Sequence, residues 1–265
     1  MSEMPAVFGF PELWGKSYSD HEHLYQVIAR SSDVAAEIIT STATDNGEAV
    51  TALGSLASVN LGSMQDVVIL IGNRRGAGAM KLARSMVEVA ITALYLERNP
   101  AEVGMFLDFA HVFSWNYLQQ SENDNPGSVA PQLRAQGEIE YNRVKSRFAN
   151  PKGKVRNTWS TKNIREMAEE VGYLEHYKTA YRLGSDLLHA GIAGLISHEF
   201  DWDLEALVIG DGSMLQAASS LFNASKLVPA ELGRKLEARS KEGNEVRKRY
   251  VENRDKDRSG RSPAE

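Results

Sequence analysis

The chain contains no cysteine. That absence excludes disulfides, thiolate chemistry and any cysteine-ligated zinc or iron–sulfur centre. Long apolar runs are missing too. The most apolar stretch, Val67-Val-Ile-Leu-Ile71, is far shorter than the roughly 20 residues that span a bilayer. The opening Met1-Ser-Glu-Met-Pro5 has no basic segment followed by an apolar one, so it does not read as a secretory signal. Together these predict a cytoplasmic protein with no membrane association. Several catalytic signatures are also absent: there is no H-E-x-x-H and no G-x-S-x-G. Gly72 to Gly78 lacks the G-x-x-x-x-G-K-[ST] pattern and follows a helical segment, which excludes a P-loop. His21-Glu-His23 has i, i+2 spacing that splits two imidazoles across a helix, so no metal site is predicted. No cofactor motif is present.

What the sequence does have is a composition able to fold. Of 265 residues, 42% are hydrophobic and 25% charged, which suits a globular body rather than a disordered chain. The net charge of −5 is unevenly spread. Residues 231–265 hold eleven Lys/Arg against eight Asp/Glu, so the excess of acid lies in the rest. An acidic body argues against tight non-specific binding along a nucleic-acid backbone, though a small basic site remains open. Arg247-Lys-Arg249 has acids nearby and reads first as a solvated helix face, second as an RNA contact.

Apolar residues recur at helical spacing through most of the chain. Residues 1–19, with Pro5, Gly9, Pro11 and Gly15 among aromatics, predict an irregular N-terminal arm whose aromatic side chains pack on the body. Helices are predicted at about 20–42, 48–71 (deeply buried), 79–97, 101–120, 131–148, 160–171 with Ser160 as N-cap, 174–196, 213–227 and 229–252. Residues 199–212 are ambiguous, with a short strand as one option. Residues 253–265 are expected to form a disordered charged tail. The fold class is therefore all-α: a multi-helix bundle, one helical domain over residues 20–252.

Two constellations could carry chemistry. In the first, Arg84, Ser85 and Glu88 interrupt an apolar helical run. Arg84 and Glu88 are i, i+4 neighbours in the less favourable order, so a local pair alone is a thin reason to place two charges there. Polar partners on another helix are expected, and a structural ion pair is the plain alternative. In the second, Tyr177, Tyr181, Arg182, Ser185, Asp186 and His189 follow one another on one predicted helix. At 100° per residue, Arg182 and His189 project within about 20° of each other, with Ser185 and Asp186 flanking. A histidine near neutral pKa moves protons and an arginine holds an anion, which suits phosphodiester chemistry. A core histidine hydrogen-bonded to Glu88 or a tyrosine is the alternative.

The strings Arg84-Ser85-x-x-Glu88, Tyr95-Leu96, Asn99-Pro100 and then Trp159, Ile164, Ala168, Gly172, Tyr177, Tyr181, Ser185 and His189 resemble the bacterial family called domain of unknown function 5677, over about residues 60–196. The helical build and the Arg–His helix are also similar to HEPN-type helical domains, many of them metal-independent RNases of toxin or phage-defence systems. That likeness implies Arg182 and His189 as catalytic residues, with six residues between them, and a homodimer pairing two such helices. It departs at Leu183, where a polar residue is common. Two readings follow: a HEPN-like endoribonuclease acting on RNA, or a non-enzymatic helical module that binds a protein partner or small ligand, with Arg84, Glu88, Tyr181, Ser185 and His189 in a buried polar network.

Overall fold

Breakers and apolar stripes divide the chain much as the sequence suggests. The computed structural model describes residues 10–181 and 202–260. The helices are α1 (Pro11–Ser41), α2 (Glu48–Gly72), α3 (Gly76–Arg98), α4 (Val103–Asp124), α5 (Pro131–Val144), α6 (Ile164–Glu170), α7 (Leu174–His176), α8 (Trp202–Ala224) and α9 (Ala230–Gly260). A π turn, Tyr177–Tyr181, continues α7. Among the described residues there is no strand, only an isolated bridge between Ala149 and Val155. The protein is all-α.

The centre of the bundle is α2, α3 and α8, which pack on one another; α1 lies against α2, α8 and α9. On α2 the buried positions Leu53, Ala57, Asn60, Met64, Val67 and Ile71 are spaced alternately four and three apart. That spacing is the narrow seam of coiled-coil-like packing, not an all-round buried surface. The expected deep burial of α2 is therefore corrected: Val59 is 55% exposed and Ile69 46%. Among the described residues α2 alone has the length and composition of a membrane span, and its seam is filled by protein. A separate small cluster, Val112, Val144 and Phe148, ties α4 to α5 and the turn after it.

The sequence-based boundaries shift at four places. The irregular arm is not seen over residues 11–19, because Pro11 opens α1 at a position that suits its fixed φ and missing N–H. What looked like a helix start near Asp20 is a kink at His21. The expected aromatic packing holds for Trp14: a Cβ on Gly72 would come within 2.4 Å of its indole ring, so the bare glycine admits it. Residues 202–212 are helix, not strand, as the first turns of α8. The N-cap of α6 is Asn163, which forms a capping box with Glu166; Ser160 instead accepts from the Lys162 backbone. Finally, the expected disordered tail is helical as far as Gly260. Its Arg254, Lys256 and Arg258 are good helix formers and no proline intervenes before Pro263, so charge alone does not end the helix.

The turn between α2 and α3 is held from both sides. Arg74 takes a positive φ of 57°. Its guanidinium reaches Asp20 at 2.5 Å and Asp203 at 3.7 Å, joining the α1 kink to the start of α8.

Candidate functional site

Helix α3 is the floor of the candidate site. Its buried face (Ala79, Met80, Ala83, Met86, Val87, Ala90 and Ile91) fixes the rotation that places Arg84, Ser85 and Glu88 on the other side. Arg84 Nη2 lies 3.7 Å from Glu88 Oε2. Glu88 is 45% exposed at its side chain and Arg84 16%, so this pair sits at the rim rather than in the core. Ser85 is exposed, and its hydroxyl donates to the Lys81 carbonyl one turn back.

The C-terminal end of α3 carries a bracket for the segment that follows the long 149–163 connection. Tyr95 is fully buried, its ring edge-on to Trp159, which in turn meets Phe106. The Tyr95 hydroxyl donates to Glu102 at 2.8 Å. Burial first, then that carboxylate, push the Tyr95 pKa above its ordinary value. The Lys162 ammonium lies over the Tyr95 ring and pairs with Glu170, which raises the Lys162 pKa and lowers that of Glu170. Asn99 donates to both the Tyr95 carbonyl and Glu170, and Arg98 donates to the Glu170 carbonyl. So α6 is tied to the end of α3 by four polar side chains and one aromatic pair. Gly172, at φ 74°, then closes α6, with the Tyr173 N–H returning to the Ala168 carbonyl.

This closing turn directs the chain back along α3. The π turn Tyr177–Tyr181 packs against α3, with Ala180 buried and Tyr177 half-buried on the main core. A π turn is rare and recurs at functional sites. The turn thus packs on the same helix, α3, that bears Arg84, Ser85 and Glu88. Of the second constellation the structure places Tyr177 and the backbone of Tyr181; Arg182, Ser185, Asp186 and His189 lie outside the described residues, as does most of the expected 174–196 helix. His111 and His176 are described. His176 stacks on Tyr173 with 4.1 Å between ring centroids.

Residues 51–205 match the family of unknown function DUF5677. The chain belongs to that family. No curated protein and no solved structure matches it. The DUF5677 region begins in the first turn of α2 and ends at the start of α8, somewhat wider than the 60–196 expected from the motifs. Several motif residues that carry the DUF5677 resemblance (Tyr95, Asn99, Trp159, Gly172) belong to the bracket, where their part is to position the turn rather than to do chemistry.

Two polar residues escaped sequence reasoning. Asn60, fully buried in the α2 seam, donates to the carbonyls of Met86 on α3 and Ser213 on α8 at 3.2 and 3.0 Å. Asp211 is buried in α8. Both stand alone within apolar helical stretches, a pattern that marks a buried polar group once the helix is known. Among the described residues no group of three or more His, Asp or Glu could hold a metal ion.

Proposed function

We propose that this protein is a HEPN-like, metal-independent endoribonuclease of the cytoplasm, acting on RNA as a homodimer, with Arg182 and His189 as its catalytic pair. The observation that carries the reading is that the π turn Tyr177–Tyr181, which immediately precedes Arg182 in the sequence, packs on α3, the helix that bears Arg84 and Glu88. The Arg182–His189 spacing in the sequence supports it.

In this reading His189 takes the proton from a ribose 2′-OH as that oxygen attacks the adjacent phosphorus. Arg182 balances the added negative charge of the five-coordinate phosphorus. The P–O5′ bond breaks, and the leaving oxygen gains a proton from water. The products are a 2′,3′-cyclic phosphate and a 5′-OH. Arg84 and Glu88 orient the pair from α3.

The purified protein should cleave single-stranded RNA in the presence of a metal chelator and leave those two end groups. His189→Ala and Arg182→Ala, each shown to be folded by circular dichroism, should lose about 100-fold or more of the rate. Cleavage by His189→Ala at the parent rate would overturn the assignment. A parent that cuts no RNA, with both variants melting well below it, would favour the structural network and a binding role instead.

A further inference from the structure

Between α1, α7, α8 and α9 lies a cavity of about 230 Å³. A site for one water needs only about 10–15 Å³ by a comparable measure, so this space suits a small organic molecule. Its walls mix two kinds of surface. Leu24, Val208 and Leu215 are apolar, whereas Gln216, Ser240 and Asn244 offer amides and hydroxyls. His176, stacked on Tyr173, lines another side.

Asp211 sets the chemistry of this cavity. It lines the space yet is only 3% exposed, and its Oδ1 has no hydrogen-bond partner. Ser31 Oγ, fully buried on α1, faces the carboxylate and has no other partner among the described residues. On the α9 side Gly243 leaves the carboxylate room: a Cβ there would sit 3.1 Å from Asp211 Oδ2. The nearest charges do not neutralise it. Glu242 adds repulsion, and the two arginines beside it, Arg30 and Arg239, are paired to Glu242 itself. Burial, only partly opposed by Ser31, pushes the Asp211 pKa up to about 6. At neutral pH the group is thus largely ionised while buried with no counter-charge among the described residues, an arrangement that costs free energy unless a cation joins it.

We infer that the Asp211 cavity binds a small organic cation, an ammonium or guanidinium group on a short hydrocarbon chain. The charged group meets Asp211 and the Ser31 hydroxyl. The hydrocarbon lies against Leu24, Val208 and Leu215, and the amides of Gln216 and Asn244 take any polar end. One carboxylate without further acidic ligands suits such a cation better than a metal ion, which collects several oxygen ligands. The proposal calls on neither Arg182 nor His189, so it holds whether or not the protein cuts RNA.

The test uses four compounds of one length: butan-1-amine, butylguanidine, butan-1-ol and butanoate. Thermal melts of the full chain at pH 7.5 should show a saturable rise in Tm with the amine or the guanidine and none with the alcohol or the acid. Asp211→Asn should weaken that response about tenfold or more. Ser219→Leu, which narrows the same cavity while leaving Asp211 in place, should abolish it and guards against a folding defect in the first variant. No rise with either cation, an equal rise with butan-1-ol, or an unchanged response in folded Asp211→Asn would each overturn the proposal.

Discussion

The α2–α3–α8 core, rich in small and aliphatic residues, and the hairpin of aromatic-rich α4 and polar α5 hold together by different means. In the core, small and branched side chains interlock along matched seams, and Asn60 pins three helices at one point. The hairpin's own cluster is Val112, Val144 and Phe148, with Trp115 also buried, and it shows Phe113, Tyr117, Leu133 and Ile139 to the surface at 56–66% exposure. Around them Trp115 stacks on Tyr141 and Phe109 meets Phe148 edge-on, and Asp108 on α4 pairs with Arg143 and Arg147 at the rim where water competes. The comparison teaches that apolar content alone does not make a core; the spacing of apolar residues against a matching partner does.

The sharpest way to break this contrast is to cut one large side chain from each region. Ile91→Ala should lower global stability by about 3 kcal/mol in urea unfolding, since Ile91 is fully buried at the centre. Phe148→Ala should instead act locally. Hydrogen exchange should show lost protection in α4 and α5 with α2, α3 and α8 still protected. Equal global losses for the two would mean that the hairpin is part of the same cooperative unit.

Within the core, Asp211 is a cost that the hairpin does not bear. Its pKa in the folded state is about 6 against an ordinary 3.8, so the native state keeps a proton that the unfolded chain has released. Unfolding then releases a proton, and stability falls as pH rises from 3.8 to about 6 and levels off above. Asp211→Asn should remove that fall and make the unliganded protein more stable at pH 7 by up to about 3 kcal/mol. A variant with the parent's pH profile would show that Asp211 is not the group responsible.

A smaller effect is expected at Asn60. Asn60→Ala removes two hydrogen bonds and leaves a small void, for a loss of about 2 kcal/mol. If the loss is negligible, van der Waals packing alone sets the register of α2, α3 and α8.

The bundle was legible in the sequence because period-3.6 apolar stripes and breakers such as Asp45-Asn-Gly47 are local signals. The beginning of α8 was not. Gly210 and Gly212 flank Asp211 and resemble a loop, and only packing against α2 and α3 makes those residues helical. The start of α1 was hidden because Pro11 reads as a breaker when its place at a helix N-terminus is unknown. At the candidate site, the motif residues were visible but not their division of labour. Tyr95 and Trp159 meet across 64 positions of sequence, a contact that no local pattern reveals. Glu88, read as part of a buried network, stands near water because α3 turns its opposite face to α2 and α8.

The π turn at Tyr177–Tyr181 has one more consequence, in the phase of the polypeptide. A turn closed by i→i+5 bonds holds one residue more than an α-turn. One residue is worth about 100° of rotation on a helix. Removing a single residue from this turn would therefore rotate Leu174–His176 against Ala180, which the turn buries, without altering any side chain's identity.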